Sequence, residues 1–185
     1  IASLFLQGLS SLKIKKLYAL IGGSIGGGIA WEMAAISSDI SEFLIPVAAD
    51  WKSNDWIIAN TFLQKRILQN SSQPLQDARI HAMLTYRTPQ SFDSRFGRTL
   101  NKEQNIFNIE SWLIYHGAKL EKRFQLKAYV MMNHLLSSIN IERDGGIALN
   151  ENGELSRKFN VRDGLGAKLL KEIGIKIVFL SGGYG

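Results

Sequence analysis

Along the first fifty residues the apolar positions switch between two periods. In "SLFLQGLSSL" (3–12) Leu4, Leu9 and Leu12 recur roughly at helical spacing. "KLYALIGG" (16–23) is a short apolar run closed by glycine, as a buried strand would be. "GGIAWEMAAISS" (27–38) returns to a helical pattern, and "EFLIPVAAD" (42–50) is again strand-like, with Pro46 arguing for a strand edge or end. Helix–strand–helix–strand predicts a parallel α/β sheet.

From Asp55 to Ser138 only the helical period remains. "NDWIIANTFLQKRIL" places Trp56, Ala59, Phe62 or Leu63, and Ile67 on one face, with Asn54 or Asp55 as N-cap. "PLQDARIHAMLTY" opens with Pro74 in its first turn and continues through Leu75, Ala78, Ala82 and Met83 or Leu84. "NIESWLIYHGAKL" and "RFQLKAYVMMNHLLSSI" follow in the same style. These four segments predict a helical cap over the sheet, spanning about 54–140. Beyond "INIERDGG" (139–146) the pattern changes once more. "NENG" sits between two alternating runs as a hairpin signal, "VRDGLGAKLLKEIG" reads as a helix closed by Gly174, and "IKIVFLSGG" reads as a short buried strand. The predicted fold class is α/β: a first domain over 1–146, then a short Rossmann-like βα fragment over 147–185.

The 185 residues suffice for a real core, and a composition 45% hydrophobic and 21% charged is that of an ordinary soluble domain. No cysteine is present, which removes disulfides, thiolate metal sites and a cysteine nucleophile, and suits a reducing, cytoplasmic setting. No metal site or cofactor is expected. The net charge of +6 is spread over Lys13, Lys15, Lys16, Arg79, Arg87, Arg95, Arg98, Lys119, Lys122 and Arg123. A nucleic-acid binder would gather it into one stripe, so a mildly anionic ligand is the simpler expectation. The uncharged run from Leu17 to Trp31 is broken by glycines and too short to span a bilayer, so no membrane partner is expected. The chain starts at Ile1 with no basic leader and ends just after a strand-like run; both ends read as cut.

"IGGSIGGG" (21–28) carries the candidate chemistry. It lacks the lysine of a phosphate-binding P-loop, and Ser24 occupies the place of the second glycine of a dinucleotide fingerprint. Gly22-Gly23-Ser24-Ile25-Gly26 matches G-x-S-x-G between a strand and a helix, the turn that pushes a nucleophilic serine into the open. Side chains two before and two after the serine would collide. The N–H of Ile25, at the helix start, would be one donor to a developing oxyanion. Such a serine is followed in the chain by an acid and then a histidine. His81, His116 and His134 all fall in the helical segments, where a surface or packing histidine is the ordinary case, and no histidine follows.

"LKIKKLYALIGGSIGGGIAWEMA", "ARIHAMLTYRTPQSFDSRFGR", "NIESWLIYHGAKLEKRFQLKAYVMM" and "INIERDGG" together resemble the middle of homoserine O-acetyltransferases, acyltransferases of methionine biosynthesis with an α/β-hydrolase fold. The resemblance covers about 1–146 and implies a partial α/β-hydrolase sheet with a helical cap insertion. It implies acetyl transfer from acetyl-CoA, a substrate rather than a cofactor, to the hydroxyl of L-homoserine through an acyl-Ser24 intermediate. Arg79, just before "LTYR", would bind the homoserine carboxylate; Gly23, Gly26 and Gly27 would be elbow and packing glycines. The strands that precede this segment in the family, and its late aspartate and histidine, have no match here, and the loop 69–76 is short. The piece is therefore expected to be inactive alone, and its uncovered sheet edge to rearrange, to form a homodimer or to fold poorly.

The stretch 149–185 resembles octulosonate-phosphate phosphatases of the haloacid dehalogenase superfamily. There Ser181 would touch a phosphoryl group and Asp144 would stand in for the nucleophile, without its paired aspartate. Sugar-phosphate hydrolysis, or a non-catalytic chimeric remnant, are the alternatives to acetyl transfer.

Overall fold

The computed structural model describes residues 1–141 and the backbone of 176–177. The elements in chain order are α1 (Ala2–Ser11), β1 (Leu17–Gly23), α2 (Ile25–Ile36), β2 (Ser41–Val47), α3 (Asp55–Asn70) and α4 (Pro74–Thr85). They continue with α5 (Pro89–Phe96), β3 (Leu100–Asn101), β4 (Ile106–Phe107), α6 (Asn108–Glu121), α7 (Leu126–Ser138) and β5 (Lys176–Ile177). The chain divides into two compact units, one formed by 1–55 with 135–141 and β5, the other by 56–134.

In the first unit β1 and β2 pair in parallel, from Leu17 opposite Ser41 to Gly23 opposite Val47. β5 adds in parallel to the other side of β2 at Phe43 and Leu44. The expected α/β grammar is the observed one. Pro46 is fully buried opposite Gly22, one residue before the end of β2, and β2 has β1 on one side and β5 on the other, so the edge reading does not hold and the strand continues through Val47. α2 crosses from β1 to β2 and is apolar nearly throughout. Gly27, Gly28, Ala30, Trp31, Met33 and Ala34 are buried, and Trp31, wholly enclosed, joins Leu20, Ile40, Leu44 and Ile141 in the core.

α1 turns a different face inward from the one its leucines suggested. Ala2 is buried and Leu6 and Leu9 pack on the core, at i, i+4, i+7, whereas Leu4 and Leu12 are exposed. Leu4, Phe5, Leu12 and Ile21 border an open apolar groove of about 530 Å³ between α1, β1 and α2. Among the described residues β1 has a neighbour on one side only.

In the second unit α4 buries Leu75, Ala78, Ala82 and Met83, as its pattern predicted, and leaves Leu84 exposed. α6 lies close to it, for a methyl group at Gly117 would come within 3.0 Å of the Gln76 carbonyl oxygen. α3 is rotated from expectation. Thr61 and Leu68 are buried while Trp56, Phe62 and Leu63 are exposed. The inward face of α3 is held by polar contacts instead: the Thr61 carbonyl accepts from Asn133 at 2.9 Å and Gln64 accepts from the Tyr129 hydroxyl at 3.1 Å.

α5 and the β3–β4 hairpin add to the four predicted helices. Thr88 caps α5 through its hydroxyl, which accepts from the Ser91 N–H at 3.3 Å, and Pro89 takes the first turn. Gly97 ends it at φ 51°, a left-handed position where an L-side chain is strained. At the start of α6, Glu110 reaches back to accept from the Phe107 N–H at 2.7 Å.

The hairpin and helix expected over 147–174, with Asp144 and Ser181, lie outside the described residues. So does the expected junction near 146. Of the strand expected at 175–183, Lys176–Ile177 is extended. Among the described residues no helix is long and apolar enough to cross a membrane.

Replacing Trp31 with alanine should lower stability by about 3–5 kcal/mol, since an enclosed aromatic leaves a cavity that its neighbours cannot fill. A urea titration of both proteins measures it, and a loss under about 1 kcal/mol would contradict this account of the core.

Candidate active site

Ser24 sits between the last residue of β1 and the first of α2, exposed, at φ 52° and ψ −124°. That is a sharp bend, costly for any residue with a Cβ. Its N–H donates to the Val47 carbonyl at 2.9 Å, which ties the bend to the end of β2. Its own carbonyl accepts from Gly27 at 2.9 Å and Gly28 at 3.1 Å. The N–H groups of Ile25 and Gly26 are left as the first in α2 without an acceptor inside the helix, at its electropositive end.

The glycines around the bend have unequal duties. A Cβ on Gly22 would stand 2.2 Å from the Gly26 oxygen and 2.5 Å from the Gly27 nitrogen. On Gly27 it would meet the Ala49 Cβ at 2.4 Å, and on Gly28 the Ile139 Cδ1 at 2.1 Å. Gly23 and Gly26 have open space, which corrects the expectation that both flanks of the serine must be bare. Gly26 borders the apolar groove rather than packed backbone.

The segment leaving α7 locks the other side of α2. Asn140 donates its backbone N–H to Glu32 at 3.0 Å; Ser53 N–H reaches the Ile139 carbonyl at 2.9 Å, and Ile141 N–H the Trp51 carbonyl at 3.2 Å.

Arg79 belongs to the second unit, half-buried on α4, with its guanidinium 5.5 Å from the Tyr86 ring centre. His81 lies two residues on. Burial lowers its pKa, and its buried Nδ1 has no hydrogen-bond partner among the described residues. His116 on α6 packs edge-on against Trp112, 4.5 Å between ring centres, and against Tyr115 at 5.3 Å. Its pKa is lowered by burial first and then by Arg79, Lys119, Arg95 and Arg87. His134 is exposed on α7.

Those four cations are gathered, not dispersed as the sequence suggested. Arg87 and Arg95 both lie over the Trp112 ring, at 5.8 and 5.4 Å. This cluster was missed because Arg95 lies on α5, which no apolar period announced. The capping residues Thr88, Pro89 and Gly97 were the available signal. Among the described residues no three His, Asp or Glu side chains are grouped to hold a metal ion.

The chain is similar to homoserine O-acetyltransferases. It is 34% identical to that of Chloroherpeton thalassium over 152 residues, covering 75% of this chain and 40% of the relative. It thus spans about two fifths of the length of the curated relatives it matches. The crystal structure of homoserine O-acetyltransferase from Staphylococcus aureus superposes with a TM-score of 0.73 at 22% identity, covering 97% of this chain and 47% of that one. The L374D mutant of esterase E22 also gives 0.73, at 16% identity, covering 98% and 59%. At such identities the likeness shows the fold, which is α/β-hydrolase-like. No family model matches the chain.

Gly22→Ala should disrupt the bend and cost about 1–3 kcal/mol, whereas Gly26→Ala should be tolerated to within about 0.5 kcal/mol. Thermal melts of the two variants compare them directly, and equal losses would refute the asymmetry. A pH titration of stability tests His81. Its lowered folded pKa means that the unfolded chain binds the proton first as pH falls from the ordinary value of 6.5. The stabilisation is complete above that value and lost below it, so wild type should weaken between neutral and mildly acidic pH more than His81→Phe does.

Proposed function

We propose that the chain carries Ser24, the nucleophile of acetyl transfer from acetyl-CoA to the hydroxyl of L-homoserine, and that full turnover needs the family's aspartate and histidine, which have no match in it. The observation that carries this reading is the exposed serine held at positive φ between a parallel strand and a helix N-terminus. Similarity to homoserine O-acetyltransferases over three quarters of the chain supports the choice of substrates.

In the first step the Ser24 Oγ attacks the thioester carbonyl while a general base takes its proton. The Ile25 N–H at the positive end of α2 donates to the oxygen that becomes negative. The carbon–sulfur bond breaks, the CoA thiolate leaves and takes up a proton, and acetyl-Ser24 remains. The homoserine hydroxyl then attacks the acyl carbon, loses its proton and frees the serine, which regains its own. Arg79 offers a planar pair of donors matched to the two oxygens of the homoserine carboxylate.

Incubation with isotope-labelled acetyl-CoA followed by peptide mass spectrometry should find the label on the peptide bearing Ser24. Ser24→Ala should abolish it. Label distributed over lysines and unchanged in that variant would overturn the assignment.

A further inference from the structure

We propose that the helical unit 56–134 carries a binding site for the phosphates and base of a purine nucleotide, centred on Arg87, Arg95 and Trp112. It does not depend on Ser24, and where the ligand is the nucleotide end of an acyl-CoA it rests on the acetyl-transfer reading.

Two guanidinium groups share one indole ring, at 5.8 and 5.4 Å, and Arg95 also lies 5.4 Å from the Phe96 ring. Each contact is within the reach of a cation–π attraction. The pair nonetheless brings two like charges to one ring, with Arg79 and Lys119 close enough to act on the histidine packed against it. Among the described residues none of these four cations has a carboxylate partner. Such a cluster repels itself until an anion enters, and a phosphate supplies the charge that the protein withholds.

The surroundings narrow the ligand further. Beside Arg95 lies a shallow, wide-open depression lined by the rings of Phe96, Trp112 and Tyr115. Aromatic lining of that kind favours a planar heterocycle over a bare ion. The Ser111 hydroxyl, which accepts from Asn101 at 3.2 Å, and Asn108, whose amide donates to Thr99 at 2.9 Å, keep an O–H donor and an amide oxygen for a base or sugar. Arg87 and Arg95 are exposed, so phosphates can reach them from solvent. Two sources share this chemistry, the nucleotide end of an acyl-CoA and a free nucleotide.

Calorimetry of the full chain with adenosine 3′,5′-bisphosphate tests the site. Wild type should bind, and R87Q and R95Q should each weaken binding by about tenfold or more while their circular dichroism is unchanged. Adenosine and tripolyphosphate should each bind more weakly than the bisphosphate, because each lacks half of the recognised groups. Equal affinity in the variants would overturn the proposal, as would tripolyphosphate matching the bisphosphate. An oligonucleotide binding about tenfold more tightly than the bisphosphate would also overturn it, in favour of a nucleic-acid surface. Coenzyme A binding with the same dependence on Arg95 identifies the donor as the source; AMP or ATP binding without coenzyme A identifies a free nucleotide. Loss of nucleotide binding would leave the labelling of Ser24 untouched, and an unlabelled Ser24 would leave this site standing, so the two readings fail separately.

Discussion

The backbone at Ser24 occupies a conformation that costs an L-residue on the order of 1–3 kcal/mol, and much of the first unit is arranged to hold it there. The hydrogen bond to Val47 fixes the bend against β2, and the two N–H groups accepted by the serine carbonyl start α2 without a spacer. Gly22 lets strand and helix meet closer than any side chain would allow, and Gly27 and Gly28 bring α2 down onto Ala49 and Ile139. The same contacts that strain the serine expose its hydroxyl. A looser bend would relieve the backbone and draw the oxygen back toward the helix. Three glycines in the first turn of a helix weaken its intrinsic stability by about 1 kcal/mol each, and the burial of Trp31 and its neighbours is what offsets that.

The second unit rests on a different balance. Its inward faces mix apolar and polar groups, with Thr61, Gln64, Asn133 and Tyr129 satisfying one another. Burial pushes the Tyr129 hydroxyl up to about 12, so it stays a protonated donor at any working pH. His116 is held toward its neutral form first by the loss of solvent and then by the cations around it. Its ring can then lie against Trp112 without adding a further charge to a cluster already rich in them.

Where packing follows a single period, the sequence was readable. The alternation of helix and strand over 1–50, the bend at Ser24 and the buried face of α4 all express a regular apolar spacing or a glycine pattern with one steric cause. α3 was misread because its inward face contains Thr61 and Gln64, whose partners come from a helix some seventy residues later. α5 carries no buried residue at all, so hydrophobicity could not reveal it and only its caps could. The gathering of arginines over Trp112 was equally hidden. Residues 87, 95 and 112 meet only once α5 has turned the chain back toward α6, and a list of basic positions contains no trace of that.

The groove between α1, β1 and α2 has a consequence for how this chain behaves in concentrated solution. Tyr18 and Ile21 are 76% and 69% exposed on a strand with a neighbour on one side only among the described residues, and Leu4, Phe5 and Leu12 crowd the adjoining surface. An outer strand of that kind is a template on which other extended chains can grow. Copies of this chain taken alone are therefore expected to pair along that strand as their concentration rises.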